Sequence, residues 1–272
     1  MHARAALPAA LALTLLVASV AEAPPRQAVA ATGAPVTFAA APAGEPRLVA
    51  RGGLEEAQRW ARRRAGTVSF AVAGVGRTRG VAVHRRYPSA SVVKAMLALA
   101  VVRAARDRPL TASERALVRP MVVVSDNDAA DAVYAHLGAR PLYSIARAAG
   151  MRGFEIGFSW ADAQLTAYDQ ARLFLRIDRL APRRHRRYLR GLLASIAPWQ
   201  RWGIAPVAGE RDFEAMFKGG WRTGIHHQVA LLERDGRRIA LAVLTRSADH
   251  GYGRRTQAGI AARVLAPPPQ RE

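Results

Sequence analysis

The sequence predicts an α+β fold: one antiparallel sheet of about five strands, flanked by the terminal helices, with an all-helical second lobe. Three observations carry this expectation. The predicted elements run helix, two strands, a block of helices, three strands, helix, and two strand groups far apart in sequence can close a single sheet. Asp235-Gly236 separates two apolar runs, 227–233 and 239–245, and an Asp-Gly pair in that position is a strong hairpin signal. The long stretch between the strand groups reads as helix after helix. A cleft between the lobes is then the natural place for a site.

The elements follow in chain order. Arg4 gives a short positive start, and residues 5–21 are uncharged and rich in Ala, Leu and Val. That pattern, followed by small residues, reads as a signal peptide over 1–31 and an exported protein. Residues 32–46 are Ala-, Pro- and Gly-rich and read as a linker. The domain proper is expected over 47–267, with a sheet lobe at 47–88 and 210–267 and a helical lobe at 89–209. Its first helix, 54–64, places Leu54, Ala57, Trp60 and Ala61 on one face. A β-rich run at 67–75 turns through 76–80 toward 81–83, a second expected hairpin. A helix over 91–105 follows, apolar around Lys94 in its first turn. Further helices are expected at 112–118, 129–137, 142–149, 168–180 and 187–196. A strand at 213–217 ends at Lys218-Gly219-Gly220, the hairpin strands follow, and a helix at 256–265 closes the chain. Internal repeats are absent from the sequence.

Composition narrows the function. The chain has 272 residues, half of them hydrophobic, enough for one well-buried domain or two interleaved lobes. It contains no cysteine, which excludes disulfides and cysteine-based zinc sites. No metal or organic cofactor is implied, and a monomer is expected. Lys and Arg total 41 against 20 Asp and Glu, a balance of +21. The positive residues are dispersed, and the densest run is Arg183-Arg184-His185-Arg186-Arg187. A solvated basic face is the favoured account. An anionic cell-surface polymer comes second and nucleic acid last, since no nucleic-acid motif accompanies the charge. The kind of base is more telling. Lysine occurs twice only, at Lys94 and Lys218, so the other 39 basic residues are arginine. Arginine stays protonated, whereas a buried lysine can lose its proton and act as a base.

Three short patterns carry chemistry. Ser91-Val92-Val93-Lys94 opens an apolar helix, and residues three apart share a helical face, so the amine can reach the hydroxyl. A serine needs such a base to become a nucleophile. Ser125-Asp126-Asn127 stands between an apolar run and a helix, where Ser, Asp and Asn are also ordinary capping residues. Lys218-Gly219-Gly220-Trp221 puts a cation and two glycines on a late strand, which fits either a glycine turn or a backbone that approaches a ligand closely.

Taken together and in this order, Ser-x-x-Lys, Ser-Asp-Asn and Lys-x-Gly resemble the class A β-lactamase and penicillin-binding-protein family of serine hydrolases. The resemblance covers roughly 54–265, and both lysines fall on the family's two lysine positions. It implies the β-lactamase/transpeptidase-like fold and an acyl-enzyme at Ser91, with Lys94 as base. Ser125 would relay a proton to the leaving nitrogen, Asn127 would hold the substrate amide and orient Lys94, and Lys218 would supply positive field. The N–H groups of Ser91 and Trp221 would form an oxyanion hole, with Gly219 and Gly220 beside the substrate. The implied substrate is a β-lactam or a cell-wall peptide such as one ending in D-Ala-D-Ala. A non-catalytic surface-binding protein that keeps the fold is the alternative.

The sequence departs from the family pattern in three places. Gly219 stands where the third motif normally has Thr or Ser. The region 151–166 lacks the Glu-x-x-Leu-Asn loop whose glutamate activates the deacylating water. Glu155 and Asp162 are its only acids and read as solvated loop carboxylates. The stretch between Lys94 and Ser125 is shorter than is typical of class A enzymes. Acylation is therefore expected, and efficient β-lactam turnover is not.

Overall fold

A computed structural model describes residues 47–247 and 249–268. The expected signal peptide and linker lie outside the described residues. Helix α1 (Gly53–Arg62) leads into β1 (Thr67–Ala73) and the short strands β2 (Arg79–Val81) and β3 (Arg86–Pro88). The helical lobe holds α2 (Lys94–Ala104), α3 (Ala112–Val123), α4 (Asn127–Leu137) and α5 (Arg140–Ala149). Then come β4 (Gln164–Thr166), α6 (Ala167–Leu175), α7 (Ile177–Leu180), α8 (Arg186–Ala194) and α9 (Ile204–Gly209). Strands β5 (Glu214–Arg222), β6 (Ile225–Arg234) and β7 (Arg237–Arg246) precede the last helix, α10 (His250–Val264).

The five-stranded sheet has the order β2-β1-β7-β6-β5, and every neighbouring pair is antiparallel. The late strand β7 therefore pairs with the early strand β1, from Thr67↔Arg246 to Ala73↔Ala240, as the element order predicts. The β6–β7 hairpin closes on Arg234↔Arg237. Asp235 (φ 53°) and Gly236 (φ 69°) are both left-handed, the conformation that two-residue hairpin turns require and that an Asp-Gly pair supplies. Both faces of the sheet are covered, so Ile239 through Leu244 on β7 are all fully buried. Helices α1 and α10 pack on each other so closely that a Cβ on Gly259 would stand 2.6 Å from the Trp60 indole nitrogen. Among the described residues, no helix is long and apolar enough to cross a membrane.

Three expectations are corrected. The run expected as one helix over 91–105 begins with a 3-10 turn, Ala90–Val93, and α2 starts at Lys94. The strand expected to end at Lys218-Gly219-Gly220 continues to Arg222, with Gly219↔Gln228 and Gly220↔His227 in register. Backbone pairing along β6 outweighs the weak strand preference of the two glycines. A separate two-stranded ribbon, β3–β4, was not expected. It is too short to show a pattern in sequence, and it fastens the segment before Ser91 to the segment after Ala163.

Candidate active site

The site is assembled where four segments meet: the 3-10 turn carrying Ser91, the start of α4, the 160–162 turn, and the edge strand β5. Each has a local reason for its shape. Ala90 has φ 45° and Ser125 has φ 63°. Neither residue is glycine, and a left-handed backbone at such positions costs on the order of 1–3 kcal/mol that surrounding structure must hold. At Ala90 the holding group is Ser89, fully buried. Its hydroxyl lies 3.0, 3.2 and 3.2 Å from the carbonyls of Ala90, Trp160 and Ala161, and its N–H donates to Ala163 at 2.7 Å. His227 pins the same segment from the sheet side. Its Nδ1 accepts from Thr245 N–H at 3.2 Å, so Nε2 bears the proton and donates to the Pro88 carbonyl at 3.0 Å. Burial pushes this imidazole down to about 4, which keeps it neutral in that role.

Lys94 opens α2 with its side chain fully buried. The amine donates to Ser125 O at 2.6 Å, Asp126 O at 3.0 Å, Asn127 Oδ1 at 2.7 Å and, more loosely, Ser125 Oγ at 3.5 Å. It lies 4.9 Å from the Trp160 ring centroid, and Trp160 is itself fixed by a 2.6 Å bond from Nε1 to Asp131. None of the four hydrogen bonds goes to Ser91. Ser91 lies in the 3-10 turn that runs directly into Lys94, and in such a turn residues i and i+3 eclipse. Burial lowers the Lys94 pKa to about 8, against the opposing pull of Asp126 and Asp131.

Ser125-Asp126-Asn127 resolves into two jobs. Asp126 is the helix cap, accepting from Ala129 N–H at 2.8 Å, while Ser125 and Asn127 face Lys94. Lys218, also fully buried, donates to Ser125 Oγ at 3.1 Å and to the Gly219 carbonyl at 3.1 Å. Its burial, with the like charge of Lys94 nearby, holds its pKa well below the ordinary lysine value. The hydroxyl of Ser125 is thus shared by the two lysines.

Strand β5 is an edge strand. The tight turn at Thr223-Gly224 makes Arg222↔Ile225 the hydrogen-bonded pair, and alternation then leaves Trp221↔His226 unbonded. The N–H of Trp221 therefore points off the open edge. The two glycines have separate reasons. A Cβ on Gly220 would stand 2.8 Å from the amide nitrogens of Ser91 and Val92, so only glycine lets the strand approach the Ser91 turn this closely. A Cβ on Gly219 would meet two ring atoms of Trp202 at 3.2 Å. The indole occupies the space beside residue 219, and it packs edge-on against Trp221 with centroids 5.9 Å apart.

Of the eight residues singled out from sequence, Ser91, Ser125, Asn127, Lys218, Gly219, Gly220 and Trp221 lie on these meeting segments, and Lys94 directly follows the first of them at the start of α2. Sequence reasoning missed Ser89, Trp160, Trp202 and His227. Of the two loop acids, Glu155 is an exposed partner of Arg86 at 3.0 Å. Asp162 is more than a solvated carboxylate. It takes Arg222 at 2.7 Å and Ser159 at 2.9 Å, tying the 151–166 loop to β5, and Arg222 lowers its pKa. Among the described residues, no group of three or more His, Cys, Asp or Glu is placed to hold a metal ion.

Comparisons with known proteins bear on the family and the fold. The model of the beta-lactamase enzyme family matches residues 106–266, which includes Ser125, Asn127 and the Lys218–Trp221 segment. A β-lactamase from Sphaerobacter thermophilus superposes with a TM-score of 0.67 at 21% identity, over 78% of this chain and 95% of that one. One from Chitinophaga pinensis gives 0.67 at 15% identity, over 78% and 98%. A protein described as PBP-A gives 0.66 at 15% identity, over 78% and 94%. At these identities the likeness is one of fold. No curated protein sequence matches the chain.

Proposed function

The chain belongs to the beta-lactamase enzyme family, and on that premise we propose that it is a serine acyl-transfer hydrolase with Ser91 as nucleophile. The observation that carries the reading is the sharing of Ser125 Oγ between two buried amines, Lys94 at 3.5 Å and Lys218 at 3.1 Å. Two cations withdrawn from water beside one hydroxyl favour loss of a proton, which yields a neutral amine able to act as base. Lys94 removes the Ser91 proton as the oxygen attacks a substrate carbonyl. The oxyanion that develops is met by the N–H groups of Ser91 and Trp221, which stand ready before the reaction. The bond to the leaving nitrogen breaks as Ser125 passes it a proton, drawn from the lysine pair. Asn127 Oδ1 holds the Lys94 amine at 2.7 Å throughout.

The second half of the reaction is slower. Asp162 is engaged by Arg222, and Glu155 is paired away from the site, so neither carboxylate is free to activate water. The acyl-enzyme therefore persists, or passes its acyl group to an amine. The substrate class is an amide, of β-lactam or cell-wall-peptide type. Intact-protein mass spectrometry after exposure to a penicillin tests this over time. An adduct on the wild type that decays slowly and is absent from Ser91→Ala is the expected result. An equal adduct on both proteins, or none on the wild type, overturns the reading.

A further inference from the structure

A cleft lies at the end of α2 away from Lys94. Lys94 is the first residue of that helix, and Arg103 comes nine residues later, about 14 Å along the axis at 1.5 Å per residue. The cleft encloses about 950 Å³ and is lined by Arg103, Arg106, Arg179, Arg183 and Arg184, with Asp107 the one carboxylate. Its remaining lining is aliphatic. The geometry is held by His185, which is buried. Its Nε2 lies 2.9 Å from the Ala105 carbonyl and 3.1 Å from that of Arg108, fastening the Arg183–His185 turn against the C-terminal end of α2.

Charge is not balanced here. Among the described residues, Arg103, Arg179, Arg183 and Arg184 have no carboxylate partner. The single ion pair, Arg106 with Asp107 at 3.6 Å, is 74% and 88% exposed, and pairs of that kind contribute little. Where the protein gathers arginines at another place, it supplies carboxylates with them. Arg190 and Arg238 share Asp178 and Glu233 at 2.6–3.1 Å. Five guanidinium groups gathered around one concave space therefore call for an external anion of high charge density. Phosphate fits, because a guanidinium presents a planar fork of donors to its oxygens. The lining has no aromatic side chain, so it offers no platform for stacked bases. It is concave and free of large exposed apolar residues, which does not suit a flat bilayer.

We propose that this arginine cleft binds a soluble, linear ligand bearing several phosphate groups. The site is independent of the chemistry at Ser91. The run of basic residues at 183–187, which sequence alone assigned to a solvated face, gains a function for its first two members.

The test is calorimetric titration of the full chain with inorganic tripolyphosphate, at ionic strengths of about 0.01 M and 0.15 M. Wild type is expected to bind, more weakly in the higher salt. Arg103→Ala/Arg184→Ala is expected to weaken binding at least tenfold, since each lost charge-assisted bond is worth roughly a factor of ten. Arg59→Ala/Arg62→Ala, on α1, removes the same charge and should change binding less than twofold. Arg103→Lys/Arg184→Lys should recover part of the affinity. Arg184→Glu, at an exposed position, carries the same test if the double alanine variant does not fold. Absence of binding at low salt overturns the proposal. So does equal weakening in the α1 variant, which would mean net charge alone. Equal affinity for polyglutamate, or binding to phosphatidylglycerol vesicles without binding to tripolyphosphate, overturns the ligand assignment. Labelling of Ser91 by penicillin is unaffected in every arm, so failure here is distinct from failure of the acylation reading.

Discussion

Helix α2 carries a cation near each end, and the protein treats the two in opposite ways. At the N-terminal end Lys94 is fully buried among carbonyls and an amide oxygen, and burial lowers its pKa to about 8. At the C-terminal end Arg103 is half-buried at the mouth of an open cleft. One cation can shed a proton near neutral pH, and the other cannot. The chain uses lysine only at the two places where desolvation makes that chemistry possible, Lys94 and Lys218, and arginine wherever a permanent charge serves. A buried charge next to a hydroxyl is a base in waiting. Five arginines around a cleft with one carboxylate keep their charge for the anion proposed above.

The largest expected effect breaks the first half of that comparison. Lys94→Arg keeps the charge and removes the ability to lose it. Penicillin acylation should fall by about 10²–10⁴, the usual contribution of a general base, as measured by the rate of mass-adduct formation. The tripolyphosphate affinity should not move. On the proposed mechanism the active form in the wild type is the free amine, so the sign is fixed. Acylation should rise with pH below about 8, close to tenfold per unit, and level off above it. A rate that is flat from pH 6 to pH 8 would remove Lys94 from the role.

The next effect sharpens the role of the strand edge. Gly220→Ala places a Cβ 2.8 Å from the Ser91 and Val92 amide nitrogens, which are backbone and cannot swing aside. Loss of most acylation and a lowered Tm are expected. Gly219→Thr is milder, because the 3.2 Å contact is with the Trp202 ring. Overpacking of this kind costs about 1–3 kcal/mol. Combining it with Trp202→Ala should recover part of that loss, a coupling that a double-mutant cycle on thermal unfolding would measure. Additive losses would mean that Trp202 does not set the residue at 219.

These contrasts also explain what was legible in the sequence. The sheet was readable because its signals are local: Asp235-Gly236, the apolar runs on either side, and the order of the elements. The two lysines were readable because everything else basic is arginine. Trp202 was not, because its contact with Gly219 spans the distance from the segment before α9 to the sheet. Ser89 and His227 were missed for the same reason. Each is an ordinary residue whose meaning is a hydrogen bond to a carbonyl tens of residues away. The 3-10 turn at Ala90–Val93 was hidden because its apolar composition is equally good for α-helix. Arg103 was overlooked as the end of an apolar run, although it lines the cleft opposite Lys94.

The smallest effect concerns Asp162. Its ion pair with Arg222, at 2.7 Å, is partly exposed on both sides, 42% and 34%, so Arg222→Ala should change stability by less than about 1 kcal/mol. The consequence for chemistry is separate from that for stability. Arg222 is the leading cause of the lowered Asp162 pKa, and a carboxylate held down in this way is a poor acceptor of a proton from water. Removing the guanidinium lets the pKa return toward the ordinary aspartate range and frees Oδ1, while Ser159 still holds Oδ2 at 2.9 Å. Decay of the penicillin adduct should then accelerate modestly, by a few-fold, with the acylation rate unchanged. Asp162→Asn in the same background should cancel the gain. If decay is instead unaffected by either change, the acyl group leaves without help from the 151–166 loop, and Asp162 serves only to fasten that loop to β5.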